Sequence, residues 1–307
     1  MSYDLITSAE MLGAALRPLS RRLALGQPER FVRLLSSQAA ISASLDSPLS
    51  IDVGAHALPH PRKKTAGEDA HFVSVNAISG TAALGVADGV GGAADSAWYS
   101  AILMANCEAV YTSSAAADPR EVMEQAWANA RSQHSLDGRS TACVVLLDAG
   151  VTPPKLRAAN LGDSAFWVLR RRESGRLAVL FKSRLQSFSF NCPFQLGWLL
   201  GEELSSPADA ETVELTLQPD DTLVLATDGL FDALHVLEIL EMVGSGLRRG
   251  DTAEQLARAL VETAVELSKD PLRSSPVVQA MAREGLVARA REAQDDVTVV
   301  VARVGPT

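Results

Sequence analysis

The sequence predicts an α/β domain of the α+β kind, with layered sheets flanked by helices. Three observations predict it. Apolar runs of strand length outnumber helical stretches. Strands and helices come in blocks rather than in βαβα alternation. Glycine and acidic residues punctuate the strand ends.

Taken in order, 70–75 and 82–87 read as strands around the turn at Ile78, Ser79 and Gly80. Helices follow at 96–111 and 119–133; Asp118 caps the second and Pro119 opens it. The run 141–148 is an apolar strand, and 156–160, 165–169 and 177–181 are shorter ones. Periodicity fades over 183–210, which predicts a long loop or flap. The stretch 213–217 alternates, 222–226 is apolar, and helices are expected at 234–244, 252–268 and 276–292. A strand at 297–304 closes the chain.

The bulk numbers bound the partners. The chain has 307 residues, 47% of them apolar and 21% charged, enough for a sizeable core. Net charge is −9 (28 basic against 37 acidic residues), which argues against nucleic acid as the main partner. A phosphorylated partner remains compatible, because a bound cation reverses the field at one site. Cys107, Cys143 and Cys192 are odd in number and form no CxxC, so a reducing compartment fits. No run approaches the ~18 apolar residues of a membrane span. We therefore expect a soluble chain with no transmembrane segment, acting as a monomer.

Residues 1–52 differ in texture. Arg17, Arg21, Arg22, Arg30 and Arg33, with many serines and few acids, resemble an organelle transit peptide. Asp4 and Glu10 count against that reading, and a surface helix at 8–25 packed on the domain is its equal alternative. The globular domain is expected over 53–307.

Four places share one design, an apolar strand that stops or starts at an acid. They are Leu84 to Gly89 with Asp88, Ala158 to Asp163, Leu223 to Gly229 with Asp228, and Asp295-Asp296 before Val297. A fifth, Gly67-Glu68-Asp69, leads into the strand at 70–75. Each alone is an ordinary turn signal. Together they place several carboxylates where strand ends gather. Converged carboxylates repel and raise one another's pKa unless a cation sits among them. Hard divalent ions such as Mg²⁺ or Mn²⁺ prefer such oxygen donors. Two such ions can activate a bridging water for in-line displacement at phosphorus.

Six blocks, in order, resemble the signature of the protein phosphatase 2C (PPM) family. They are Gly67-Glu68-Asp69, Ala87-Asp88-Gly89-Val90-Gly91-Gly92, Ser140-Thr141-Ala142, Asn160-Leu161-Gly162-Asp163-Ser164, Ala226 to Asp232, and Asp295 to Val299. The resemblance covers about 53–304. Val53-Gly54, the run Pro59 to Lys63, the Asp88-Gly89-Val90-Gly91-Gly92 form, and Asn191 to Leu196 are similar to the organellar branch of that family, the opening block to its plastid form.

This resemblance implies a four-layer α-β-β-α sandwich of two antiparallel sheets. It implies hydrolysis of phosphoserine or phosphothreonine in a phosphoprotein substrate, without a phosphoenzyme. Glu68, Asp88, the Gly89 carbonyl, Asp228 and Asp295 would build a two-metal centre for Mn²⁺ or Mg²⁺. Asp69 would orient water, and Asp163 would help hold a third, weaker ion. Lys63 or Lys64 would contact substrate phosphate. The N-terminal texture points to an organelle without separating plastid from mitochondrion, and the resemblance of the opening block puts the plastid ahead.

Two positions depart from the pattern. Many family members carry histidine after Asp-Gly, a candidate proton donor to the leaving group; here it is Val90. The organellar branch is more polar before Asn191, where this chain has Gln186-Ser187-Phe188-Ser189-Phe190. These departures keep a phosphoprotein-binding adaptor of weak activity as the alternative, and a small-molecule phosphatase as a further one. His56 and His60 have the spacing of a helical zinc pair, but Pro59 and Pro61 disfavour a helix there. Gly89 to Gly92 is glycine-rich, yet no Gly-Lys-Ser/Thr follows, so it is not a P-loop.

Overall fold

The computed structural model describes residues 49–60, 63, 67–91, 95–113, 118–133, 138–199, 202–287 and 294–306. The candidate transit peptide or helix at 8–25, and Lys64, lie outside the described residues.

Ten strands carry the fold. They are β1 (Leu49–Leu58), β2 (Asp69–Asn76), β3 (Thr81–Asp88), β4 (Ala142–Asp148), β5 (Lys155–Leu161), β6 (Ala165–Arg171), β7 (Leu177–Lys182), β8 (Glu211–Thr216), β9 (Thr222–Ala226) and β10 (Val297–Pro306). The helices are α1 (Ser96–Ser113), α2 (Pro119–Gln133), α3 (Asp228–Ala233), α4 (Val236–Arg249), α5 (Ala253–Ser268) and α6 (Pro276–Arg283). One five-stranded sheet has the order β1-β10-β9-β6-β7, the other β8-β5-β4-β3-β2. Every pairing within the two sheets is antiparallel.

Residue parity sorts the side chains into three apolar layers. On β3, Ala82, Leu84 and Val86 enter the layer between the sheets, while Ala83 and Ala87 pack with α1 and α2. On β9, Leu223 and Leu225 face inward, while Val224 and Ala226 join the layer formed with α3, α4 and α5. Central strands are thus covered on both faces, which is why β3, β4 and β9 read as continuous apolar runs. The edge strand β8 is half covered and alternates. Each fully buried leucine, such as Leu84 or Leu225, contributes on the order of 2 kcal/mol. The result is the expected α-β-β-α sandwich.

Several expectations need correction. Residues 183–210 are not one loop. They hold short strands at Ser187–Ser189, Cys192–Pro193, Leu196–Leu199 and Glu202–Glu203, and a 3-10 turn at Pro207–Asp209. Leu196 pairs with Ser140, so this segment is stitched to the chain just before β4. The helix expected to reach 292 ends at Arg283, because Gly285 takes a left-handed φ of 72°. The helix expected to stop at 244 runs to Arg249 and stops at Gly250, also left-handed. The Asp118 cap holds: its carboxylate accepts the N–H groups of Arg120 at 2.8 Å and Glu121 at 3.3 Å.

The register puts the acid-bearing ends together in each sheet. Asp69, the first residue of β2, pairs with Asp88, the last of β3. Ala142 opens β4 opposite Leu161, which closes β5. In the other sheet Ala226 closes β9 opposite Val299, close to the start of β10, and opposite Ala165 at the start of β6. The Thr227 hydroxyl donates to Asp69 Oδ2 at 2.8 Å and joins the two sheets at this end.

Candidate metal centre

Six aspartates share the field at this end: Asp69, Asp88, Asp163, Asp228, Asp232 and Asp295. Burial is the main force on every one and favours the neutral carboxyl. The neighbouring charges add to it. Asp88 is pushed well up by burial, then by Asp228, Asp69, Asp295 and Asp163. Asp163 rises to about 8 through burial, then Asp228 and Asp295. Asp295 rises to about 7 through burial and Asp228. Asp228 is also raised by burial, although its side chain meets that of Asp88 as a hydrogen-bond partner.

Local structure explains how each acid arrives. Asp88 is held by its backbone: its N–H donates to Thr141 Oγ1 at 2.9 Å, and its carbonyl accepts Thr141 N–H and Ser140 Oγ. Thr141 in turn is hydrogen-bonded to Ser164 at 2.8 Å. This explains the Ser140-Thr141-Ala142 block, whose hydroxyls fix a neighbouring strand end. Asp228 is the first residue of α3, which starts after Thr227. Gly229 there lies against the Asp296 carbonyl, in space that a Cβ would fill. Asp163 follows Gly162, whose φ of 104° admits no ordinary side chain without strain.

Glu68 stands beside Asp69 on the chain, and its backbone carbonyl accepts Gly89 N–H at 3.0 Å and the Ser100 hydroxyl. Its carboxylate faces Lys63, whose ammonium lies 2.5 Å from Glu68 Oε2 and 2.8 Å from Asp296 Oδ2. Lys63 is the described member of the two lysines expected to meet phosphate. Val90 presents only backbone polarity: its N–H donates to the Arg139 carbonyl and its carbonyl accepts Ser96 Oγ. Phe188 in the flap meets Phe194 with tilted rings whose centres are 4.4 Å apart, which gives one of the two apolar departures before Asn191 a packing partner.

Asp232 was not singled out as a site residue by the sequence reading. It lies four residues after Asp228 on α3, hence on the same helix face, and feels Asp228, Asp163 and Asp295. The signal was present as Asp228 to Asp232, but it is legible only once 228–233 is known to be helical. His56 falls within strand β1, so the helical zinc pairing with His60 does not form.

The donor chemistry fits a hard cation. Asp69 Oδ1, Asp163 Oδ1 and Asp228 Oδ1 are buried and have no protein hydrogen-bond partner. Buried carboxylate oxygens without donors are costly unless protonated or bound to a cation. Among the described residues no three His, Cys, Asp or Glu side chains stand close enough, as placed, to hold a metal ion by themselves. An open set of oxygens suits an ion such as Mg²⁺, which keeps several of its waters.

A two-sheet sandwich with unpartnered aspartate oxygens at one end is the architecture that the resemblance to the metal-dependent phosphatase family implies. The comparisons then give the family. The model of Stage II sporulation protein E (SpoIIE) matches residues 78–305. Probable protein phosphatase 2C 55 of Arabidopsis thaliana is 34% identical over 276 residues, covering 88% of this chain and 55% of that protein. Protein phosphatase PTC7 homolog of Homo sapiens is 34% identical over 254 residues, covering 78% of this chain and 79% of that protein. The X-ray structure of the photosystem II phosphatase PBCP superposes with a TM-score of 0.71 at 26% identity, covering 84% of this chain and 100% of that one. The chain belongs to the protein phosphatase 2C family. It spans 55% of the length of that Arabidopsis relative and 62% of that of another, Probable protein phosphatase 2C 80.

Proposed function

We propose that this protein is a metal-dependent serine/threonine phosphatase acting on phosphoserine and phosphothreonine in a phosphoprotein. The carrying observation is the set of aspartates contributed by both sheets at one end of the sandwich, three of which keep a buried oxygen with no hydrogen-bond partner. In this reading Glu68, Asp88, the Gly89 carbonyl, Asp228 and Asp295 hold two Mn²⁺ or Mg²⁺ ions. Asp163, with Asp232, holds a weaker third. The ions supply Lewis acidity and an activated water for in-line attack at phosphorus.

The chain's own residues do the rest. Asp69, fixed by the Thr227 hydroxyl, orients the attacking water and takes up its proton at Oδ1. Lys63, with Lys64 as its sequence neighbour, binds the phosphate. The leaving alkoxide is protonated by solvent, since Val90 offers no titratable group. The complete acid set supports the enzyme over the adaptor reading.

In this proposal the catalytic unit begins with strand β1 at Leu49, ahead of the expected boundary at 53, with 183–210 as its flap and the residues before Leu49 as an organelle-targeting extension. The arginine- and serine-rich N-terminus supports an organelle, and the likeness to a photosystem II phosphatase supports the plastid. Among the described residues no helix is long and apolar enough to cross a membrane, and a monomer is proposed.

The test is phosphate release from a phosphoserine peptide and from a sugar phosphate, each with Mn²⁺ or with chelator. The proposal expects metal-dependent turnover of the peptide in preference to the sugar. Equal rates with chelator, or preference for the sugar, contradict it. Fusing residues 1–52 to a fluorescent protein tests the compartment.

A further inference from the structure

The Asp295-Asp296 pair contains one acid that the metal centre does not use. Asp296 is 3% exposed, and its carboxylate takes three donors from the chain between β1 and β2. Oδ1 accepts His60 N–H at 2.6 Å. Oδ2 accepts Glu68 N–H at 2.5 Å and the Lys63 ammonium at 2.8 Å. These partners lie more than 220 residues away in sequence.

Three donors meet this one carboxylate, whereas Asp69, Asp163 and Asp228 each keep a buried oxygen with no hydrogen-bond partner. The fit is tight: Gly67 has φ 93°, and a Cβ there would come within 2.9 Å of the carboxylate.

We propose that Asp296 is a positioning residue that sets Lys63 and Glu68 in one geometry, so that the Lys63 ammonium meets the phosphate of the substrate. The inference rests on the phosphatase reading. It follows from the connectivity. One carboxylate binds the backbone N–H of Glu68, the side chain of Lys63, and the backbone at His60 where the segment begins. Lys63 itself is half-buried with a flexible four-carbon stem, and without an anchor its charge would roam. Asp296 fixes that charge before substrate arrives, which lowers the ordering cost of binding.

The experiment compares wild type with Lys63→Gln, Asp296→Asn and the double variant. The readouts are KM for a phosphoserine peptide, the inhibition constant of inorganic phosphate, and the Mn²⁺ concentration giving half-maximal thermal stabilisation. Lys63→Gln is expected to weaken phosphate inhibition about tenfold, the scale of one charge-assisted hydrogen bond. Asp296→Asn is expected to weaken it several-fold, and the double variant no more than Lys63→Gln alone. The half-maximal Mn²⁺ concentration should shift less than threefold in Lys63→Gln. Additive losses, or an unchanged phosphate constant in Asp296→Asn, overturn the proposal.

Should Asp296→Asn not fold, acylation of wild-type Lys63 decides. Its amine should react at least fivefold more slowly than that of the surface residue Lys269; equal rates contradict the anchoring. If wild type neither turns over peptide nor responds to phosphate, the phosphatase reading has failed instead.

Discussion

Asp69 and Asp88 face each other as cross-strand partners at the end of the β2–β3 ladder, two half-buried acids where a sheet ordinarily avoids like charges. The pairing costs stability and gains nothing for the fold alone. It makes sense as a site held ready for a cation.

The acids therefore set the pH dependence of the metal-free protein. Asp163 is raised from 3.8 to about 8 and Asp295 from 3.8 to about 7. Raised carboxyls bind more protons in the folded state than in the unfolded one. Their contribution is fully present below about pH 4 and is lost as pH rises through about 7 to 8. Melting in chelator should show Tm falling from pH 5 to pH 8. Mn²⁺ should restore more stability at pH 8, because protons and metal compete for the same oxygens. A metal-free Tm that rises over this range would contradict the site.

Replacing Thr227 with valine removes the donor to Asp69 Oδ2 while nearly keeping volume. Thr227 is fully buried, and its oxygen also accepts Thr298 N–H at 3.1 Å. We expect kcat/KM to fall about 10- to 100-fold, the scale seen for groups that orient a metal site. Thr227→Ser keeps the hydroxyl and should stay within a few-fold of wild type. Steady-state kinetics of the two variants separates loss of the hydroxyl from loss of the methyl.

Arg170 and Asp221 form a forked ion pair away from the metal centre, at 2.7 and 2.6 Å. Asp221 is 2% exposed, and its Oδ2 also takes Gln218 N–H at 2.8 Å. Arg170→Ala strands a buried carboxylate and should cost about 3 kcal/mol in denaturant unfolding. The folded fraction should keep its activity. A cost below about 0.5 kcal/mol would mean that the pair behaves like an exposed one.

Val90 gives a leaving-group prediction. With no titratable side chain there, turnover of an alkyl phosphoester should trail that of an aryl phosphoester, whose leaving group departs without a proton. Val90→His should raise the alkyl rate and leave the aryl rate within about twofold. The two substrates are assayed side by side across pH.

Much of this was legible in the chain because the same residues serve fold and site. Strands β3, β4 and β9 are covered on both faces, so their apolar runs marked both the sandwich and the acids at its end. Helix α3 escaped notice because six residues carry too little periodicity, and Asp228-Gly229 resembles a turn. With it went Asp232. The role of Asp296 was hidden for another reason. It depends on contacts across more than 220 residues, which no local pattern encodes. The strands within 183–210 are two to four residues long and are fixed by pairing with Arg139–Ser140 and with one another.

The central claim is that aspartates from both sheets jointly hold divalent ions. Calorimetric titration of Mn²⁺ into the metal-free protein at pH 8 tests it most directly, with Asp228→Asn in parallel. The account predicts saturable binding of two ions to wild type and loss of at least one of them in the variant. Absence of saturable binding, or binding unchanged by Asp228→Asn, would contradict it.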